Sequence, residues 1–352
     1  MPLAAGFFLC TLCLPVPFAE AQPTTLAARG VQFYADLGDF KLESGEVIRD
    51  LRIGYRTFGE LNAERSNVVL FPTWFTGTTA SLIEEDVPGK LVDTTRHFLI
   101  LVDAIGDGVS TSPSNSATQP GMQFPRFTIL DMVRSQHALL TRKLGIDHLR
   151  AVMGVSMGGM QSFQWIVAYP DFVDKAIPIH GSPLLSSYDR LLWTATIRAI
   201  QLDPAWKGGD YESPPVAGME AVGTIVPLAR STRDAVVKET PASGFDEYLE
   251  TSDKAIVGVF DANDWIRQAQ AMMALDVSAA FDGSMEKAAA AVKAEVLVVN
   301  GLRDHMVAPQ PAEAFAELLF APVVALGGDC GHLAIWCEQA EAFPAITRFL
   351  AE

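Results

Sequence analysis

Short apolar runs and helical patterns alternate along most of this chain, the mark of a parallel sheet covered on both faces. Asn67 to Phe71 and Phe98 to Val102 are short apolar runs that end in turn-rich stretches. Thr128-Ile129-Leu130-Asp131 has the form of a capping box and predicts a helix to about Leu144, closed by Gly145. Leu149 to Met153 reads as a buried strand, and a helix-like stretch, Met157 to Tyr169, stops before Pro170. Val173 to Ile179, Glu295 to Asn300 and Pro322 to Leu326 predict three further strands.

Between Pro183 and about Met285 this rhythm changes. Arg190–Gln201, Val216–Leu228, Phe245–Lys254 and Trp265–Leu275 carry helical patterns with no convincing strand between them. The expected organisation is a core of residues 22–183 and 286–352 with a helical insert, 184–285, between two strands. Such an insert reads as a lid over a site, or as an ordinary helical subdomain.

At the strand-to-helix junction the chain reads Gly154-Val155-Ser156-Met157-Gly158-Gly159. This is the G-x-S-x-G nucleophile elbow, which displays a serine Oγ clear of the sheet edge. Chance supplies the pattern only about 0.1 times in a chain this long, and here a strand precedes it and a helix follows. The helix aims its first N–H groups at any anion that forms near Ser156.

Composition narrows the remaining choices. The 352 residues are 49% hydrophobic, enough for one large core, and the formal charge of −16 argues against nucleic-acid and anionic-membrane partners. Gly6 to Phe18 is apolar and uncharged, and Ala19-Glu20-Ala21 resembles a small-x-small cleavage site. Residues 1–21 therefore read as a signal peptide, so the expected location is periplasmic or secreted, with no membrane attachment after cleavage. The mature chain would keep two cysteines, Cys330 and Cys337. Seven residues along one helix would set their Cα atoms about 10 Å apart, too far to bridge. A disulfide needs Cys330 on a loop folded back over the helix start.

A serine nucleophile needs a base, and the base needs an orienting acid. In the α/β-hydrolase order Ser…Asp/Glu…His, Asp304 follows one predicted strand through Gly301-Leu302-Arg303. His332 follows the last strand in Asp329-Cys330-Gly331-His332. Asp329 rivals Asp304 as the acid, and His180 and His305 rival His332 as the base. Met157 N–H and Phe75 N–H, the latter from the Pro72–Gly77 loop, are the expected oxyanion donors. The Trp74 and Leu333 side chains suggest an apolar substrate pocket. No cluster at metal-ligand spacing and no dinucleotide or P-loop motif appears, so no metal or cofactor is expected.

These residues resemble the homoserine O-acetyltransferase family within the α/β-hydrolase superfamily. The likeness is carried by Tyr55-Arg56-Thr57-Phe58-Gly59-Glu60-Leu61-Asn62, Pro88-Gly89-Lys90, Phe124-Pro125, Asp131-Met132-Val133-Arg134-Ser135-Gln136 and Ser156-Met157-Gly158-Gly159-Met160-Gln161. It returns at Asp304 and His332, which match the family's acid and base. The resemblance implies an α/β-hydrolase fold with a mostly parallel sheet, a helical lid, a homodimer, and acetyl transfer from acetyl-CoA through an acyl-serine. This chain departs where substrate is read. Leu333 stands where the family places an Asp that engages the homoserine amino group, and Gly223 where it places an Arg that pairs with the carboxylate. Arg230 lies nearby but out of register. Val155 and Thr111-Ser112-Pro113 also differ from the family's Gly and Thr-Gly-Pro.

Unpaired substrate charges in a closed pocket cost several kcal/mol, and acetyl-CoA is a cytoplasmic cofactor. The expected function is thus an exported serine hydrolase of esterase type acting on a small ester or acyl substrate. An O-acyltransferase using acetyl-CoA as donor is the second reading, and a non-catalytic binding protein on the same fold the third.

Overall fold

The computed structural model describes residues 30–352, so the signal peptide expected at residues 1–21, with Cys10 and Cys13, lies outside the described residues. Nine strands form one sheet: β1 (Phe33–Lys41), β2 (Val47–Phe58), β3 (Val68–Pro72), β4 (Phe98–Val102), β5 (Leu149–Val155), β6 (Val173–Ile179), β7 (Glu295–Val296), β8 (Val298–Gly301) and β9 (Val323–Leu326). The order across the sheet is β1-β2-β4-β3-β5-β6-β8-β9, with β7 also paired to β6. Only the β1–β2 and β2–β4 pairings are antiparallel; the rest run parallel.

The central strands β3 and β4 are apolar at every position because both of their faces are covered. Val68 and Leu70 of β3 pack on one side with Met132, Phe163 and Trp165. Val69 and Phe71 face the opposite layer with Leu82, Ile335 and Ile346. This period-2 split of an unbroken apolar run is what a parallel sheet between two helical layers requires.

Among the described residues, twelve α-helices complete the fold. Three precede the insert: α1 (Thr79–Glu84), α2 (Ile129–Ala138) and α3 (Met157–Ala168). Five form it: α4 (Ser187–Leu202), α5 (Val216–Arg230), α6 (Arg233–Glu239), α7 (Phe245–Lys254) and α8 (Ala262–Met273). The last four are α9 (Met285–Ala291), α10 (Gln310–Leu319), α11 (Ala334–Cys337) and α12 (Gln339–Ala351).

The structure refines several sequence expectations. The Thr128 capping box is present, with Thr128 accepting from Asp131 N–H, but the helix ends as α at Ala138 and continues as a π-helix to Leu144. Gly145 closes it in the left-handed conformation. The single strand expected over 295–300 is two short strands flanking Leu297. The β1–β2 hairpin goes beyond the sequence reading, although Leu51, Ile53, Tyr55 and Thr57 alternate as buried residues along β2. Charged residues between them dilute the apolar signal. The insert holds one more α-helix, α6, than its periodicity shows.

Buried polar contacts tie the insert to the core. Ala308 N–H donates to Asp189 in the first turn of α4 at 3.0 Å. Arg267 of α8 donates to the carbonyls of Phe124 and Met122 at 2.9 and 2.8 Å. Asp264, at the start of α8, accepts the Ser114 N–H at 2.9 Å and its hydroxyl at 2.5 Å. Burial, then the nearby charge of Asp261, pushes the Asp264 carboxyl up to about 7. A raised carboxyl keeps its proton in the folded chain while the unfolded chain loses it, so stability falls as pH rises from about 4 to about 7. The Asp264→Asn protein should therefore gain thermal stability over the native chain at pH 8 and lose that advantage at pH 4.5. Paired melts at the two pH values check this, and equal gains at both would contradict it.

Candidate active site

The β5–α3 turn builds the site. Ser156 sits at φ 58°, ψ −120°, a conformation costly for a residue with a Cβ, and its N–H is held by the Ile179 carbonyl at 2.8 Å. Strain of this kind persists only when the surroundings fix it, and here they do. Gly158 shows how closely: a Cβ there would lie 2.6 Å from the Pro72 carbonyl oxygen, a backbone atom that cannot step aside. The helix therefore starts directly against the end of β3.

Behind the turn runs a buried amide relay. The Trp165 indole N–H donates to Gln136 at 2.8 Å, and Gln136 donates to Gln161 at 2.5 Å. Gln161 in turn donates to the carbonyls of Thr73 and Met157 at 3.0 and 3.2 Å. It fixes the Pro72–Gly77 loop relative to the elbow and accounts for glutamines on otherwise apolar helix faces. Gln136→Leu would orphan the Trp165 N–H and the Gln161 oxygen, a loss of about 2 kcal/mol. Urea unfolding should show this as a lower midpoint with an unchanged slope.

Chain order brings Asp304 and His332 to Ser156. His332 Nε2 lies 2.9 Å from Ser156 Oγ, and its Nδ1 lies 2.6 Å from Asp304 Oδ2. Asp304 Oδ1 accepts the N–H groups of Met306 and Val307 at 2.8 and 3.1 Å. Burial alone would raise the Asp304 carboxyl, but the His332 charge and the hydrogen bond from its ring outweigh it and hold the carboxyl well below its usual range. Asp304 is thus an anion at neutral pH. The rival residues lie elsewhere: Asp329 pairs with Arg303, and His305 is exposed. His180 is buried behind Asp304, with Nδ1 3.4 Å from Oδ2.

His180, Asp304 and His332 place ligand-type atoms within 4.8 Å of one another, a cluster that sequence spacing does not show. Two ligands of one tetrahedral zinc would stand about 3.3 Å apart. The 2.6 Å between His332 and Asp304 is a hydrogen bond instead.

Met157 and Phe75 N–H groups donate to nothing among the described residues, whereas the adjacent Thr76 N–H is taken by Gln268 of α8 at 2.8 Å. Gln268 also donates to the Ile105 carbonyl at 3.1 Å. The Phe75 ring is gripped by Trp193 and Trp265 of the insert, at centroid distances of 4.7 and 4.6 Å.

Ser156 and His332 open onto a cavity of about 320 Å³ lined by Trp74, Phe75, Leu333 and Trp336 from the core side. The insert supplies Trp193, Val226, Ile256 and Trp265. Both pocket residues expected from sequence, Trp74 and Leu333, are there. Arg230, out of register with the family's arginine, lines the cavity, and its side chain has no ion pair among the described residues. Gly223 does not line this cavity. A Cβ at 223 would meet Asp253 Oδ1 at 2.6 Å, because α5 packs closely on α7 there.

Cys330 and Cys337 are disulfide-bonded, with Cα atoms 6.4 Å apart. Cys330 precedes the short helical turn carrying His332, and Cys337 ends α11, so the bridge closes a ring around the imidazole-bearing turn.

The chain matches the alpha/beta hydrolase fold family over residues 67–339. It belongs to the α/β-hydrolases. An ethyl acetate hydrolase of Pseudomonas veronii is 30% identical over 329 residues, spanning 90% of this chain and 93% of its own. A homoserine O-acetyltransferase of Geotalea uraniireducens is 32% identical over 349 residues, spanning 89% and 94%. Among solved structures, an acetylester hydrolase from Corynebacterium glutamicum superposes with a TM-score of 0.83 at 27% identity, covering 93% of this chain and 97% of the other. This α/β-hydrolase is thus an enzyme whose relatives include both esterases and homoserine O-acetyltransferases, and the kinship read from Tyr55–Asn62 and the elbow holds.

Proposed function

We propose that the protein is an exported serine esterase that hydrolyses small acyl esters through an acyl-Ser156 intermediate. The observation that carries this reading is the unbroken contact chain from Ser156 Oγ through His332 to Asp304, opening on an apolar cavity. Ser156 Oγ attacks the ester carbonyl as His332 Nε2 takes its proton. Asp304 holds the imidazole with Nε2 free to accept and stabilises the imidazolium that forms. The Met157 and Phe75 N–H groups receive the oxyanion. His332 then returns the proton to the departing alcohol, and a water activated by His332 releases the acid and restores Ser156. The reaction uses no cofactor.

Water is favoured as acceptor because Leu333 puts a hydrocarbon side chain into the cavity where homoserine's amino group would need a partner. Arg230 favours the second reading, transfer to a hydroxyl acceptor from a donor such as acetyl-CoA, because it offers one cation in the cavity. Products from p-nitrophenyl acetate, with and without homoserine, separate the two. Free acetate in both reactions supports the esterase; O-acetylhomoserine as main product replaces it with the transferase. Export is supported by the leader-like residues 1–21 and by a disulfide that suits an oxidising compartment. Sequencing the exported chain should give Gln22 as the first residue, and an intact Met1 retained in the cytoplasm would contradict export.

A further inference from the structure

His180 is a buried imidazole beside the Ser156–His332–Asp304 chain to which the reaction assigns no task. It follows the end of β6 at φ 47°, a left-handed conformation that a histidine adopts at a cost, and its N–H is tied to the Val299 carbonyl at 2.8 Å. The ring is 1% exposed. Its Nδ1 stands between two groups of opposite need: Gly301 N–H donates to it from 3.2 Å, and Asp304 Oδ2 lies 3.4 Å away. A ring nitrogen that accepts an N–H carries a lone pair there, which places the proton on Nε2. Nε2 has no hydrogen-bond partner among the described residues, so nothing polar holds the ring from its other side.

We infer that His180 is a positioning residue for Asp304: a neutral ring that accepts from Gly301, donates nothing to Oδ2, and keeps water from that oxygen. This rests on Asp304 serving as the acid partner of His332. Two consequences follow from the geometry. Asp304 leaves β8 through a turn in which its own N–H donates to the Gly301 carbonyl at 3.2 Å, so anchoring Gly301 anchors the acid. The carboxylate also receives two backbone donors on Oδ1 and a single side-chain donor, His332, on Oδ2. A further donor at Oδ2 would stabilise the carboxylate independently of His332 and weaken its hold on the imidazolium. The titratable groups around the ring agree with a neutral state. Burial and the His332 charge work against a cation, while Asp304 and the more weakly acting Glu338 work for one, and the balance lies below the usual histidine range.

The test reads the tautomer directly. The full-length protein is labelled with ¹⁵N-histidine, and long-range proton–nitrogen spectra are recorded from pH 5 to 9. One of the six histidines should keep a neutral Nε2–H pattern throughout and vanish in His180→Asn. A proton on Nδ1 of His180, or titration within this range, overturns the inference. The second measurement is the pH profile of kcat/KM for His180→Gly, since glycine suits the positive φ and leaves room for water at Oδ2. Its acid limb should move to lower pH by about half a unit or more, with acyl-enzyme formation at Ser156 retained. An unmoved limb with a lower plateau would mean that the ring only fills space. Loss of acyl-enzyme in the native chain would instead sink the esterase reading.

Discussion

Ser156→Ala should lower kcat/KM for p-nitrophenyl acetate by at least about 10⁴-fold, because the acyl-enzyme route ends with the loss of Oγ. The substitution is a clean one structurally. Alanine carries the same Cβ into the same strained turn, and among the described residues the Ser156 hydroxyl makes no hydrogen bond besides that with His332. The protein should therefore fold with a melting temperature close to the native value. What remains is binding and whatever the Met157 and Phe75 amides give to direct attack by water, which in comparable serine enzymes leaves 10³ to 10⁴ over solution. A fluorophosphonate probe should label the native chain at one equivalent and the variant not at all. Near-normal turnover in the variant would remove the acyl-serine mechanism altogether. Native protein that neither turns over nor labels would return the binding-protein reading.

Asp304→Asn should cost about 10⁴-fold in kcat, nearly as much, for a different reason. Nothing is removed from the space the carboxylate fills, and Met306 and Val307 N–H groups can still donate to an amide oxygen on the Oδ1 side. The amide nitrogen then faces His332 Nδ1 as a donor and draws its lone pair, moving the imidazole proton to Nε2. Nε2–H pointing at Ser156 Oγ cannot accept the serine proton. The variant should keep its cavity and bind substrate with little change in KM while kcat collapses. Pre-steady-state kinetics place the loss in acylation, and a variant with native burst amplitude would show that Asp304 does not select the tautomer.

Much of this site was legible in the chain because it obeys local rules. The elbow is a contiguous motif, the Thr128 cap lies within four residues, and Asp304 and His332 sit just past strand ends, where parallel sheets deliver loops to one edge. Residues whose roles depend on distant partners were not legible. Gln268 meets Thr76 only because α8 crosses the loop, and Gln161 reads as an odd polar residue until Trp165 and Gln136 are seen beside it. Arg230 shows that alignment register and position in space are separate quantities: the end of α5 sends a long side chain to the cavity from a position out of register with the family's arginine. The β1–β2 hairpin escaped for an energetic reason, since these antiparallel strands bury mainly one face and keep charges on the other. Leu297 divides the expected strand because its N–H goes to Ala176 of β6 while the next residue turns to Pro322.

The grip of the insert on the Phe75 loop bears on how such enzymes diverge. Trp193 and Trp265 clamp the Phe75 ring, and Gln268 occupies the neighbouring Thr76 amide. The insert and the Pro72–Gly77 loop therefore pack as one block, although some 110 residues of chain separate Thr76 from the first of these helices. Recombination that exchanges the insert alone would pair new helices with an old loop and leave the Thr76 amide without its glutamine. A productive exchange has to carry the Pro72–Gly77 loop along with α4 and α8, so in this protein the two are replaced as a pair rather than grafted one at a time.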